Sequence, residues 1–238
     1  MKILKTLLTL LLFSAAANSQ NLNTVINAAS NYVNNVGVNI SNDEVVKGLK
    51  EALSVGVKNS STKAAALDGF NKNNLIRIPF PPEVKDVETK LKAIGMSKQV
   101  DEFTMQLNRA AEKAAKEAAP IFINAITSMS LTDGVSLIKG GDNAATKYLQ
   151  DKTTNDLKAS FAPIVAKSLN EVKITKYWNP LATRYNKLPM VKKANPNLEE
   201  YVTLKAMEGL FKLVAQEELR IRKDPASRIS DLLKKVFG

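Results

Sequence analysis

The chain has 238 residues, no cysteine, no histidine, 45% apolar residues and a formal net charge of +11. Those absences exclude disulfides, a lipid-bearing cysteine, imidazole–carboxylate triads and nearly all zinc, copper and haem sites. An enzyme would have to work with carboxylates, Lys, Tyr, Ser or Thr, which the composition disfavours without closing the question.

Lys2 and Lys5 open the chain, an apolar run follows from Leu7 to Phe13, and small residues offer a cut after Ala17 or Ser19. Charged start, short apolar core and small-residue site make residues 1–19 a secretory signal peptide. The run is too short to span a bilayer, which takes roughly 20 apolar residues, and no later stretch qualifies. The mature chain is therefore expected to be periplasmic or secreted and not a lipoprotein. Residues 20–40 form an N-terminal segment, with Leu22, Val25, Ile26 and Ala29 spaced as a short helix.

Residues 41–238 read as one all-helical domain. Ser41-Asn42-Asp43-Glu44 is a capping box, and Val45 to Val57 keep helical spacing behind it. Residues 68–82 lose that period. Three prolines and three asparagines predict an extended connection, with Ile76, Ile78 and Phe80 alternating along it. Pro81-Pro82-Glu83 opens the next helix and Gly95 closes it. Ser97 is placed to cap a helix whose face runs from Val100 to Ala118, with a stripe of alanines for close packing.

Pro120 interrupts that run before Ile121 to Met129. Ser130 and Asp133 cap a short helix that Gly140-Gly141 ends, and Asp142 is placed to cap the next, which Pro163 should kink. A helix around Tyr177 to Asn186 should be interrupted by Pro180. Asn197 starts the longest uninterrupted pattern, which ends near Lys223. Its apolar face is broad, as for a central helix packed on several sides. Asp224-Pro225 caps a last helix bearing Ile229, Leu232, Leu233, Val236 and Phe237. The expected fold is all-α: a single compact domain of about eight helices with one extended Pro-rich connection.

Five strings stand in order along the chain: Arg77-Ile78-Pro79, Leu107 to Glu112, Gly140 to Thr146, Tyr185 to Pro189, and Arg222 to Pro225 leading into Asp231 to Gly238. Together they resemble the bacterial domain-of-unknown-function family 4197 over roughly residues 42–238. The resemblance implies an exported helical protein, often made with a signal peptide. It implies no reaction, ligand or functional residue.

The strongest local signal for binding lies in residues 172–198. Lys173, Lys176, Arg184, Lys187, Lys192 and Lys193 occur there beside Tyr177, Trp178 and Tyr185, with no acid before Glu199. Cations beside amphipathic rings suit an anionic headgroup or a sugar face; equally, the rings can be core and the lysines solvated surface. Arg77 can hold a carboxylate in a groove or tie the connection to helix carbonyls. Asn108 and Glu112 lie one helical turn apart, and an Arg109–Glu112 pair is read as a structural tie between two helices rather than a catalytic site. Gly140, Gly141 and Asp142 read as a helix stop followed by a helix start, since no Gly-Lys-Ser/Thr follows to make a phosphate loop. No calcium-loop spacing occurs, and no metal or cofactor is implied.

The function expected is non-enzymatic binding of an anionic or amphipathic envelope ligand, such as lipid or an acidic glycan. One alternative is a protein-interaction or structural module of the envelope. Another is a hydrolase or transferase with a carboxylate- or lysine-based site. Export and the lack of a recognition module speak against nucleic acid.

Overall fold

A computed structural model describes residues 41–227 except Asn195, together with Lys234. The expected signal peptide, the helix at 22–29 and the last helix lie outside the described residues. Among those described there are eight α-helices and no strand. In chain order they are α1 (Asn42–Ala65), α2 (Lys85–Ala93), α3 (Ser97–Ala115), α4 (Ala118–Thr127), α5 (Leu131–Ile138), α6 (Ala144–Glu171), α7 (Ile174–Asn186) and α8 (Leu198–Lys223). The compact unit that holds them opens at Asn42.

Helix α8 is the hub. It packs against α6, α1 and α3, and buries Val202, Ala206, Leu210, Leu213 and Val214. Its start follows from local chemistry: the Asn197 side chain accepts the Glu200 amide at 3.1 Å. On α3, Ala110, Ala111, Ala114 and Ala115 are wholly buried, so the axes of its neighbours come close. Helix α2 ends in a Schellman motif, in which the Met96 amide bonds Leu91 and the Gly95 amide bonds Lys92. Gly95 has the left-handed φ of 84° that this stop requires. The α3–α4 break falls at Lys116-Glu117, leaving Pro120 in the first turn of α4. Ser130 and Asp133 form a reciprocal capping box on α5.

Three local expectations are corrected. Ser97 is the first residue of α3 rather than its cap, and Met96 before it offers no side-chain bond. Pro180 does not interrupt α7, which runs through it. Pro180 is exposed, as is Lys176, whose carbonyl it leaves without its helical donor, so the missing bond falls on the solvent side of the helix. Asp142 does not cap α6, and the helix assignment also continues unbroken through Pro163.

The cap of α6 comes instead from far along the chain. The amides of Ala145 and Thr146 donate to the two oxygens of Glu218 at 3.0 and 2.8 Å, and the Thr146 hydroxyl adds a bond of 2.7 Å. Arg222, one turn beyond on α8, holds the same carboxylate at 2.8 Å and donates to the Leu137 carbonyl at 3.0 Å. One buried ion pair thus joins the end of α5, the start of α6 and α8. Asp142 meets Lys223 at 2.7 Å.

Removing a partner from such a pair leaves buried amides and a buried guanidinium unmatched. Glu218→Ala should lower unfolding stability by about 3–5 kcal/mol, measured by urea denaturation. A loss below about 1 kcal/mol would mean that water replaces the carboxylate.

Candidate functional site

Two buried polar side chains of α3, Asn108 and Glu112, serve the segment between α1 and α2. Residues 66–76 make turns, and residues 77–79 carry no regular structure. Phe70, Ile76, Ile78 and Phe80 are nevertheless buried, so their backbone needs partners away from water. Asn108 supplies two of them. Its carbonyl accepts the Ile78 amide and its NH2 donates to the Ile78 carbonyl, both at 2.8 Å. One turn along α3, Glu112 accepts the Phe70 and Asn71 amides at 3.1 Å. Arg109 bonds Glu112 and Asp68, each at 2.7 Å. The Arg109–Glu112 pair therefore lies within one helix and ties it to the connection, not to a second helix.

The charges of this cluster reinforce each other. Lys72, then Asn71 and Arg109, hold the Asp68 carboxyl well below the usual carboxylate range. Glu112, followed by Asp68, raises the Arg109 guanidinium further above its ordinary value despite burial. Glu112 and Glu218 are the buried carboxylates among the described residues, and both have their oxygens committed to backbone amides and an arginine.

The basic window divides by helix phase. At about 100° per residue, Lys176 and Arg184 of α7 and Lys187 just past its end fall on one arc about 80° wide. Ile174, Trp178, Leu181 and Tyr185 form its buried face on the opposite side. Trp178 packs its ring 5.2 Å from that of Phe103 and 6.1 Å from Phe80, so it belongs to the core. Tyr177 is half-buried at the flank. Lys173, Lys176, Arg184, Lys187, Lys192 and Lys193 are all exposed, and none has an ion-pair partner among the described residues. Elsewhere Lys72, Lys85, Lys92, Lys113, Lys205 and Lys212 each meet a carboxylate at 2.6–2.9 Å.

The loop after α7 brings one ring back to the cations. Tyr185, Lys192 and Lys193 line an open groove of about 280 Å³ with Val84, Asp86 and Val87 of the facing wall. Lys90 stands 5.8 Å over the Tyr185 ring, a cation–π contact that the spacing of the sequence did not indicate. Bonds from the Leu188 amide to the Tyr185 carbonyl (2.9 Å) and from the Ala194 amide to Asn186 (3.2 Å) hold the loop. At its tip Met190 is fully exposed with a left-handed φ of 60°. That conformation costs a non-glycine residue about 1–2 kcal/mol. An apolar residue inside a proline-bounded basic loop was the signal that could have marked it.

The other candidates lie apart. Arg77 is exposed and lines a shallow groove with Lys98, Asp101 and Glu102, and its guanidinium makes no hydrogen bond or ion pair among the described residues. Its amide, not its side chain, bonds the Asn73 carbonyl at 2.8 Å. Gly140 closes α5 where an added Cβ would meet that of Ala144 at 2.4 Å, whereas Gly141 faces open space.

The fold and its polar sites define an all-helical protein whose buried carboxylates hold the structure together and whose unpaired cations face outward. The family model described as "Protein of unknown function (DUF4197)" matches residues 39–238, and the chain belongs to that family. No curated protein and no solved structure gives a significant match.

Two outcomes test the anchoring role of α3. Asn108→Ala leaves the buried Ile78 amide and carbonyl unmatched and should lower stability by about 2–4 kcal/mol in urea; a loss under about 1 kcal/mol would show that the connection does not depend on it. Asp68 has a folded pKa below its unfolded value, so its contribution is complete above about pH 4 and disappears as pH falls toward the folded value. Asp68→Asn should therefore weaken the protein at neutral pH and flatten its acid denaturation below about pH 4. Parallel acid-titration curves for the two proteins would remove Asp68 from the cluster's energetics.

Proposed function

We propose that this protein is an exported, non-enzymatic binding protein whose partner is an anionic amphiphile of the cell envelope, lipid in the first place. The carrying observation is the run of exposed cations from Lys173 to Lys193, which have no acidic partner among the described residues and lie in a stretch of sequence without an acidic residue. Uncompensated charge attracts an anion over a Debye length of about 8–10 Å. The signal-peptide character of residues 1–19 supports an envelope location, periplasmic or secreted.

The enzymatic alternative finds less support. Glu112 and Glu218 commit their oxygens to backbone amides and arginines. Among the described residues no group of three or more acidic side chains is placed to hold a metal ion. No single described helix is long and apolar enough to cross a membrane; the binding proposed is peripheral.

Lys192→Glu combined with Lys193→Glu should weaken binding to phosphatidylglycerol-containing vesicles by at least about tenfold, since each lysine near an anionic surface contributes about 1 kcal/mol. Wild-type binding should fall as salt rises. Equal binding by the double variant in a flotation assay would overturn the reading. Binding to heparin but not to vesicles would move the partner to an acidic glycan.

A further inference from the structure

Met190 departs from local expectation in two ways. Its left-handed backbone is one that glycine or asparagine adopts with least strain, yet the residue is methionine. Its side chain is fully exposed, so no burial within the fold offsets that strain. The neighbouring Leu188 and Val191 do pack against the core, and the bonds from Leu188 to Tyr185 and from Ala194 to Asn186 fix the base of the loop. Met190 is thus held outward by a braced loop. Lys187, Lys192 and Lys193 flank it within three residues, exposed and without ion-pair partners among the described residues.

We infer that residues 187–193 dock this protein on an anionic bilayer surface, with Met190 entering the interfacial region and the flanking lysines engaging lipid phosphates. The inference rests on the anionic-partner reading above and names the bilayer surface as that partner. A soluble polyanion would use the lysines but has nothing to offer a projecting apolar side chain. A carrier of single lipids would need an apolar cavity, and the pocket that Leu49, Leu53 and Ile221 line beside the Glu218–Arg222 pair has room for only about 10 Å³, less than an acyl chain needs. The groove beside Tyr185 carries Asp86 on its wall, which opposes a bound phosphate there. Charge at the collar and an unbranched, adaptable thioether at the tip are what a headgroup boundary accommodates.

Two variants of the full chain test this. Met190→Asn keeps a residue that tolerates the left-handed backbone while removing the apolar tip. It should melt at or above the wild-type temperature and bind phosphatidylglycerol/phosphatidylcholine vesicles at least about fivefold more weakly. Because the chain has no cysteine, Met190→Cys can carry a single environment-sensitive dye. Its emission should shift blue on anionic vesicles and stay unchanged on pure phosphatidylcholine. Wild-type affinity in the asparagine variant, with the dye remaining in water, would overturn the insertion. If the Lys192/Lys193 double variant still lost vesicle binding in that case, the anionic-partner reading would stand alone. Failure of the wild-type protein to float with anionic vesicles would overturn both.

Discussion

The connection between α1 and α2 must bury apolar side chains without a helix or sheet to hydrogen-bond its own backbone. That constraint orders much of the rest. A buried amide or carbonyl without a partner costs about 1–3 kcal/mol, and this segment presents several. Asn108 and Glu112, one turn apart on α3, answer with a side-chain amide for Ile78 and a carboxylate for Phe70 and Asn71. Once those bonds hold the segment, Phe80 can pack its ring 5.2 Å from Phe103, and Trp178 joins the same cluster. The seating of α7, and with it the direction of its basic face, thus depends on polar groups of α3. Close approach is demanded as well. A Cβ on Gly69 would lie 2.3 Å from the Lys63 carbonyl, and one on Gly209 would lie 2.8 Å from the Phe70 ring.

The same solution is used twice. Glu218 receives two consecutive amides from α6 and an arginine one turn along its own helix, as Glu112 receives two consecutive amides and an arginine three residues back. A buried carboxylate is expensive to desolvate, and several donors are needed before it favours the fold. Both sites provide them. Four of the five strings that carry the family resemblance meet in pairs on this pattern, as far as the described residues reach. Arg77-Ile78-Pro79 lies on the Leu107–Glu112 string through Asn108, and Gly140–Thr146 lies on the Arg222–Lys223 string through Glu218, Arg222 and the Asp142–Lys223 pair. Those four strings are therefore read as stitching between distant segments.

What was legible in the sequence was what is local. Ser130 and Asn197 announce helix starts because cap and capped amide stand three residues apart. The start of α6 was misread because its cap is more than seventy residues away, and no window along the chain contains both. Pro180 was misread because a local rule about a missing amide does not include which side of the helix meets water. The basic window was half legible. Composition sees cations and rings together, whereas the helix turns Trp178 and Tyr185 away from the cations and leaves Tyr177 at the flank. At Met190 the sequence shows an apolar residue in a basic loop but not its backbone, since a left-handed φ at a methionine follows from the loop's closure and not from the residue.

That separation of faces also narrows what the basic surface can recognise. If Trp178 and Tyr185 stood among the cations, stacking on sugar rings would be a natural use of the site. With Trp178 in the core and Tyr185 confined to the wall of a groove, half-buried Tyr177 is the ring left at the edge of the basic arc, and the exposed face of α7 offers mainly charge. Charge alone selects for a dense anionic surface rather than for one molecule's shape. An apolar tip adds depth to such a contact without adding stereospecificity. The physical character of the site therefore favours a partner defined by its interface, in which many equivalent headgroups can serve, over a single ligand fitted to a pocket.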